Sequence, residues 1–383
     1  CGLKISRNGD VEGGIEIWVA SPLHVRAVTH DNAGNNFGRL LEFRNTVGKN
    51  RQWAMPMELL AGDGTGLRGE LLSMGVELDS SGKGRVHLAT YLQSQHPKRQ
   101  ILCATQLGWC GDSFVLPDTV IGDGANETIF QSGERSHEEY TTAGTLQGWQ
   151  EGIAARAVGN QLLMLALSAA FAGALLTPTY SEGGGIHFVG DSSTGKSTLI
   201  EAAASVWGGA GFKRSWRSTA NGMEGAASMF NDGLLALDEI SECDPKDVGA
   251  IIYALGNGVG KQRASKSGAA RGLTRWKCCI VSSGEKTIET AMLEGGKAIK
   301  AGQGVRLLDI PPAQTYGAWD ALHREYNPAA FSDAIKRSAK EHHGHAGRAF
   351  LERLTRDKQD FCARLEALKS SSDFHFTDVE LDV

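Results

Sequence analysis

With 383 residues, 41% of them hydrophobic and 22% charged, the chain has material for two or three cores of ordinary size, which excludes disorder as its main state. A formal net charge of -5, from 39 Lys and Arg against 44 Asp and Glu, gives no overall attraction to nucleic acid, so any such contact must come from a local basic patch. The seven cysteines, Cys1, Cys103, Cys110, Cys243, Cys278, Cys279 and Cys362, show neither CxxC zinc spacing nor a disulfide framework, which points to a reducing, cytoplasmic setting.

The chain begins at Cys1 with neither a methionine nor a charged-then-apolar leader, and reads as a piece of a longer protein. From Ile15 to about Phe130, short β-branched or alternating runs (Ile15 to Val19, Val25 to Thr29, Leu40 to Phe43, Val86 to Ala89) alternate with Gly, Asn and Asp clusters. This predicts a β-rich α+β domain, with a helix over Met57 to Met74 packed on its sheet. A polar stretch from Ser132 to Thr142 gives way to a helical pattern from Trp149 to Leu176, where the domain boundary is expected. The long apolar run Leu162 to Leu176, broken by Ser168 and Gly173 and closed by Pro178, falls short of the roughly 20 residues a membrane-spanning helix needs and reads as a buried helix.

Next come short buried strands at Ile186 to Val189, Leu234 to Leu237 and Cys278 to Val281, separated by helical stretches such as Lys196 to Trp207. Such alternation predicts an α/β fold, a parallel sheet with helices on both faces. Beyond Pro311 and Pro312 the chain turns charged and helical, through Phe331 to Lys340 and Ala346 to Leu368. The expected division is therefore 1–145 (β-rich), 146–312 (strand–helix alternation) and 313–383 (helical).

The strongest chemical signal is Gly190-Asp191-Ser192-Ser193-Thr194-Gly195-Lys196-Ser197, continued by Thr198. It satisfies the P-loop pattern directly after a strand and at the opening of a helix, the context that motif requires. Glycines let backbone N–H groups form an anion cradle where the helix dipole also favours phosphate. Lys196 is expected to reach the β- and γ-phosphates of ATP, and Ser197 to ligate Mg²⁺.

The run Leu234 to Leu237 ends in Asp238-Glu239. Asp238 is expected to hold the metal and Glu239 to polarise the attacking water, which favours hydrolysis over transfer to an acceptor and so an NTPase over a kinase. After the third strand, Ser282 and Ser283 are candidates for positioning that water; the ordinary alternative is a strand end with helix-capping serines.

Between these strands lies the one basic patch: Lys261, Arg263, Lys266, Arg271, Arg275 and Lys277, with no acidic residue from Gly256 to Lys277. A charge run is usually a solvated face. Its place before the third strand instead suggests a hairpin, with Lys261, Arg263, Lys266 and Arg271 available to grip a nucleic-acid backbone inside a ring. Arg306 stands where ring ATPases supply an arginine finger to a neighbour, with a structural ion pair as the alternative. His342-His343-Gly344-His345 lacks a Cys or carboxylate to complete a metal site, and Arg348 just beyond is a candidate second nucleotide sensor.

These motifs resemble a known family, domain of unknown function 927, found in plasmid, phage and integrative-element proteins related to superfamily 3 helicases and often joined to a primase. The resemblance rests on Ser21-Pro22-Leu23, Gly108-Trp109 and Phe114 to Asp118 in the first domain. It continues through the P-loop, Thr219 to Gly222, Leu237 to Glu239, Gly256 to Gly258 with Gly260-Lys261, Ser282 to Glu285, Val305-Arg306, and Gly344 to Leu351. It implies an AAA+ core, a homo-hexameric ring and ATP-driven movement on single-stranded or forked DNA during replication of a mobile element. It also implies a primase as domain or partner, and a first domain acting as collar, DNA contact or assembly surface. The competing reading is a nucleotide-dependent assembly or remodelling ATPase without unwinding activity.

Overall fold

A computed structural model describes residues 2–6, 16–131, 138–261, 274–296, 306–357 and 359–371. The chain divides into two compact units, Cys1–Gln106 with Asp123–Gly133, and Leu107–Gly122 with Glu134–Val383.

In the first unit β1 (Leu3–Ser6) and β2 (Glu16–Ala20) form an antiparallel pair. A five-stranded mixed sheet follows, from β3 (Leu23–His30), β4 (Gly38–Arg44), β5 (Asn50–Pro56), β6 (Gln100–Ala104) and β10 (Thr128–Phe130), in the order β10-β6-β3-β4-β5. Odd-numbered side chains on β3, β4 and β5 (Leu23, Leu41, Phe43, Met55) point into a core shared with α1 (Thr65–Ser73) and α2 (Gly82–Ser94), which contribute Leu67, Leu71, Leu88 and Leu92. That alternation is the period of two read from the sequence.

Two local expectations are corrected here. The helix expected over Met57 to Met74 is a 3₁₀ turn, Met57–Leu60, followed by a break and then α1. Gly62 and Gly64 adopt φ of +67° and +65° in that break, a left-handed backbone that ends any right-handed helix. Val86 to Ala89, expected as a strand, lies inside α2. There Ser81 caps the first turn by accepting from Gly84 N–H (3.0 Å), and Leu88 and Leu92 are buried four residues apart, a helical spacing.

In the second unit β7 (Gly108–Cys110), β8 (Ser113–Val115) and β9 (Val120–Gly122) form an antiparallel meander. The division drawn from the sequence placed this meander with the first domain, but hydrogen bonds tie it to the second unit. Trp109 donates through its backbone N–H to Asp232 (3.0 Å) and through its indole to Ala174 O (2.8 Å), and Asp118 accepts from Arg348 (2.9 Å).

The main sheet consists of β11 (Gly184–Val189), β12 (Arg214–Ser215), β13 (Gly233–Asp238), β14 (Cys278–Gly284) and β15 (Leu307–Ile310), all parallel, in the order β12-β13-β14-β11-β15. β13 is buried at every position from Gly233 to Leu237, the mark of a strand covered on both faces. Leading into this sheet, α3 (Leu146–Trp149), a π turn (Gln150–Ala154), α4 (Ala155–Ala157) and α5 (Gln161–Ala172) make up the helical pattern expected from Trp149 to Leu176, interrupted at Gly159 (φ +77°). α6 (Lys196–Ser205) packs with α5 against β13 and β14. α7 (Ala220–Met229), α8 (Pro245–Asn257) and α9 (Ile288–Glu294) connect the remaining strands, and α10 (Pro328–Glu341), α11 (His345–Arg356) and α12 (Phe361–Lys369) close the unit.

The centre of the sheet leaves no room for side chains at Gly185, where an added Cβ would lie 1.9 Å from Ile280 O on β14. Gly185→Ala should therefore force the P-loop strand from its neighbour at a cost of about 1–3 kcal/mol or more. The expected readout is a lowered Tm of the second unit; an unchanged Tm would contradict this packing.

Candidate nucleotide site at the edge of the parallel sheet

The parallel sheet brings the C-terminal ends of β11, β13 and β14 to one edge, and the sequence motifs gather there. The loop from Gly190 to Gly195 joins β11 to α6, and Gly195 sits at the helix entrance with φ +101°. A side chain at that position would require both a left-handed backbone and space already filled by Ala318 and Trp319, which lie 3.0 Å from an added Cβ. Ser193 is also left-handed (φ +65°), so two positions in the loop carry the turn that points backbone groups inward. Lys196 is buried, and its ammonium donates to the carbonyls of Gly190 (2.6 Å) and Asp191 (2.5 Å). Thr194 donates its hydroxyl to Asp191 O, and Ser192 donates to the carboxylate of Glu285 just after β14. Thr198, in the first turn of α6, is buried.

β14 stands between the strand that leads into the P-loop and the strand that ends in Asp238. Ser283, on the intervening strand, donates to Asp238 Oδ1 (2.6 Å), and Ser197 Oγ lies 3.4 Å from the same oxygen. Lys213 donates to Asp238 Oδ2 (2.7 Å) and reaches Glu201 on α6 (3.5 Å). Burial pushes the Asp238 carboxyl up, but the hydrogen bonds from Lys213 and Ser283 and the charge on Lys213 outweigh it and hold the group below its ordinary range. Asp238 is thus an anion beside a hydroxyl, the donor set that hard divalent cations prefer.

Glu239 occupies left-handed backbone (φ +59°), and its carboxylate accepts from the N–H (3.2 Å) and hydroxyl (2.5 Å) of Ser241. A non-glycine residue held in this region stores strain, which concentrates at functional positions.

The two serines expected to act together point to opposite faces of β14, as the period of a strand requires. Ser283 faces Asp238, whereas Ser282 is buried in a hydrogen-bonded chain on the other face. Trp216 Nε1–H donates to Ser282 Oγ (2.9 Å), which lies 2.9 Å from His187 Nδ1, and His187 Nε2 lies 3.0 Å from Lys286 O. Because indole can only donate and a carbonyl can only accept, the chain has one direction. Ser282 donates to Nδ1, and Nε2 carries the proton. Ser282 therefore makes no hydrogen bond to the P-loop or to Asp238 through this hydroxyl.

Arg306 precedes β15 at the opposite end of the strands from the P-loop. With Leu307 paired to Gly185, Arg306 lies level with Gly184, six residues before Gly190 and so about 20 Å away along the sheet. Its guanidinium donates to Asn257 (2.6 Å) and lies over the Tyr253 ring (5.1 Å), in space that any side chain at Gly256 would fill. Arg348, the candidate second nucleotide sensor, donates to Asp118, Tyr140 O and Gly344 O. His342 accepts from Thr145 N–H (3.1 Å) and His343 contacts Ala339 O (3.1 Å) and Thr141 (3.3 Å), so these rings bind backbone and hydroxyl groups.

At the expected basic hairpin, Val259 pairs antiparallel with Arg275, and Gly260 N–H donates to Thr274 O (2.9 Å). Lys261 is exposed at this stem, whereas Arg263, Lys266 and Arg271 lie outside the described residues.

Several contributors were missed in the sequence. Lys213 comes from a loop with no motif of its own. Glu201 carried one signal, its spacing of four residues from Ser197 on a helix. The segment after β15 covers the P-loop through Ala318 N–H, which donates to Thr194 O (2.8 Å), and through Pro312 against Gly190.

This geometry defines a mixed α/β protein with a P-loop NTPase-like core. The SCCmec type IV Cch active helicase has a similar structure, with a TM-score of 0.68 and 21% identity, over 98% of this chain and 68% of that one. Looser likenesses are to the apo C-terminal region of NrS-1 (TM-score 0.34, 11% identity, 85% of this chain and 68% of that one) and to NtrX from Brucella abortus with ATP (TM-score 0.26, 19% identity, 51% and 50%). No curated protein sequence matches the chain. The profile of the family described as Domain of unknown function (DUF927) matches residues 2–275, and the chain belongs to that family. Among the described residues no helix is long and apolar enough to cross a membrane.

Burial pushes the His187 imidazole below its ordinary value, against the Lys286 carbonyl and the charges of Asp309 and Glu239. A depressed histidine pKa contributes stability that is present above its unfolded value near about 6.5 and is lost as pH falls below it. His187→Gln should flatten the fall in Tm between pH 7 and pH 5; an undiminished slope would show that this ring is not the group responsible.

Proposed function

We propose that the chain is the ATP-driven motor of a DNA helicase or translocase, an AAA+ ring of identical subunits, most simply a hexamer, acting in replication of a mobile genetic element. The observation that carries this reading is the convergence of Lys196, Ser197, Asp238 and Ser283 at one edge of a parallel sheet, with Asp238 two strands from the P-loop. The fold shared with a helicase over nearly the whole chain supports it.

The residues fit ATP with Mg²⁺. The N–H groups of the loop Gly190 to Gly195 and Lys196 would hold the phosphates, and Ser197 and Asp238 the metal, whose charge neutralises the phosphate oxygens. Glu239 then orients and accepts a proton from the attacking water, and Ser283 holds Asp238 in line while adjoining Glu239. Arg306, remote from the P-loop of its own chain, serves a neighbouring subunit. The segment from Lys261 to Arg275 carries the cations that grip the DNA backbone, with Lys266, Arg263 and Arg271 between the paired stem residues. A primase, as domain or partner, accords with the family's mobile-element setting.

Purified protein should hydrolyse ATP faster with single-stranded DNA, the stimulation fading as salt rises. Lys196→Ala should lower the rate about 10²–10³-fold, and Lys261→Ala with Lys266→Ala should remove DNA stimulation while basal hydrolysis survives. Hydrolysis indifferent to DNA at all salt concentrations would replace the helicase with a remodelling ATPase. For the ring, inactive Arg306→Ala subunits mixed with inactive Lys196→Ala subunits should recover part of the activity at shared interfaces; no recovery would refute Arg306 acting between subunits.

A further inference from the structure

We infer that Lys213 is a positioning residue for the metal ligand Asp238, a resident cation that takes one carboxylate oxygen and leaves the other for Mg²⁺. The inference rests on the nucleotide reading above and extends it to a residue that carries no motif.

The two oxygens of Asp238 have different partners. Oδ1 accepts from Ser283 at 2.6 Å and lies 3.4 Å from Ser197 Oγ, on the side of the P-loop helix. Oδ2 is held by the Lys213 ammonium at 2.7 Å. Lys213 also reaches Glu201 at 3.5 Å, and Glu201 lies four residues beyond Ser197, on the same face of α6. One ammonium therefore braces the helix that opens at the P-loop against the strand tip that bears Asp238. The pair is withdrawn from solvent, with 27% of the Lys213 side chain and 21% of that of Asp238 exposed, so its field is less screened than that of a surface ion pair.

A fixed cation beside the metal position has two opposed effects. It repels Mg²⁺, which lowers metal affinity. It also fixes the rotation of the carboxylate, so that Oδ1 alone faces Ser197 and the metal enters in one geometry. Glu201 tempers the first effect, because its negative charge at 3.5 Å offsets part of the ammonium's field at the metal position.

The test is the ratio of Kd for a fluorescent ADP analogue in EDTA to that in Mg²⁺, which reads metal coupling without turnover. Lys213→Met should raise this ratio about tenfold while lowering kcat at saturating Mg²⁺, and Lys213→Arg should restore both. Glu201→Gln, which leaves the ammonium to Asp238 alone, should lower the ratio several-fold. A role in packing alone would move Tm and both Kd values together and leave the ratio unchanged. An unchanged ratio in Lys213→Met overturns the inference, and so does an unchanged ratio in Glu201→Gln should Lys213→Met fail to fold. Wild-type protein that binds no ADP analogue with or without Mg²⁺ overturns the nucleotide reading itself, and this inference with it.

Discussion

The insertion of β14 between the P-loop strand and the strand of Asp238 is the constraint on which the rest of the second unit depends. It sets a strand's width between the loop and the carboxylate, and it supplies Ser283 to bridge that width. Because β14 is buried on both faces, its side chains must be satisfied internally. One face does this through Asp238, the other through the chain Trp216–Ser282–His187. A single strand thus links the chemistry at the sheet edge to a polar layer beneath it.

The electrostatics of the site follow from the same arrangement. Asp238 is partly buried, which alone would favour the protonated acid, and Lys213 with two hydroxyls reverses that preference. The carboxylate is therefore an anion held in one orientation by donors of its own chain. Glu239 differs in being held by its own backbone strain and by Ser241, so its orientation depends on a local turn.

The glycines of the second unit mark where chain segments approach one another. Gly185 admits β14, Gly256 admits the Arg306 side chain, and Gly195 admits Ala318 and Trp319. The last contact brings the segment after β15 onto the P-loop, so the region read as a separate helical C-terminus belongs to the same compact unit as the loop. The meander containing Trp109 joins it through the buried Asp232.

The sequence by itself determined the local elements that follow from periodicity and from unbroken motifs: the P-loop after a strand, the buried run ending in Asp238, and the strands β2, β3 and β4 of the first unit. These are legible because a few adjacent residues suffice to specify backbone geometry. It misread Met57 to Met74 and Val86 to Ala89, where a pair of left-handed glycines and a serine cap outweighed the apolar pattern. Only the tertiary structure decided that Ser283 and not Ser282 meets Asp238, that Arg348 pairs with Asp118, that Arg306 stands far from its own P-loop, and that Lys213 pairs with Asp238. Each of those depends on which strand lies beside which and which face a side chain takes, relations between distant segments that spacing along one chain does not record.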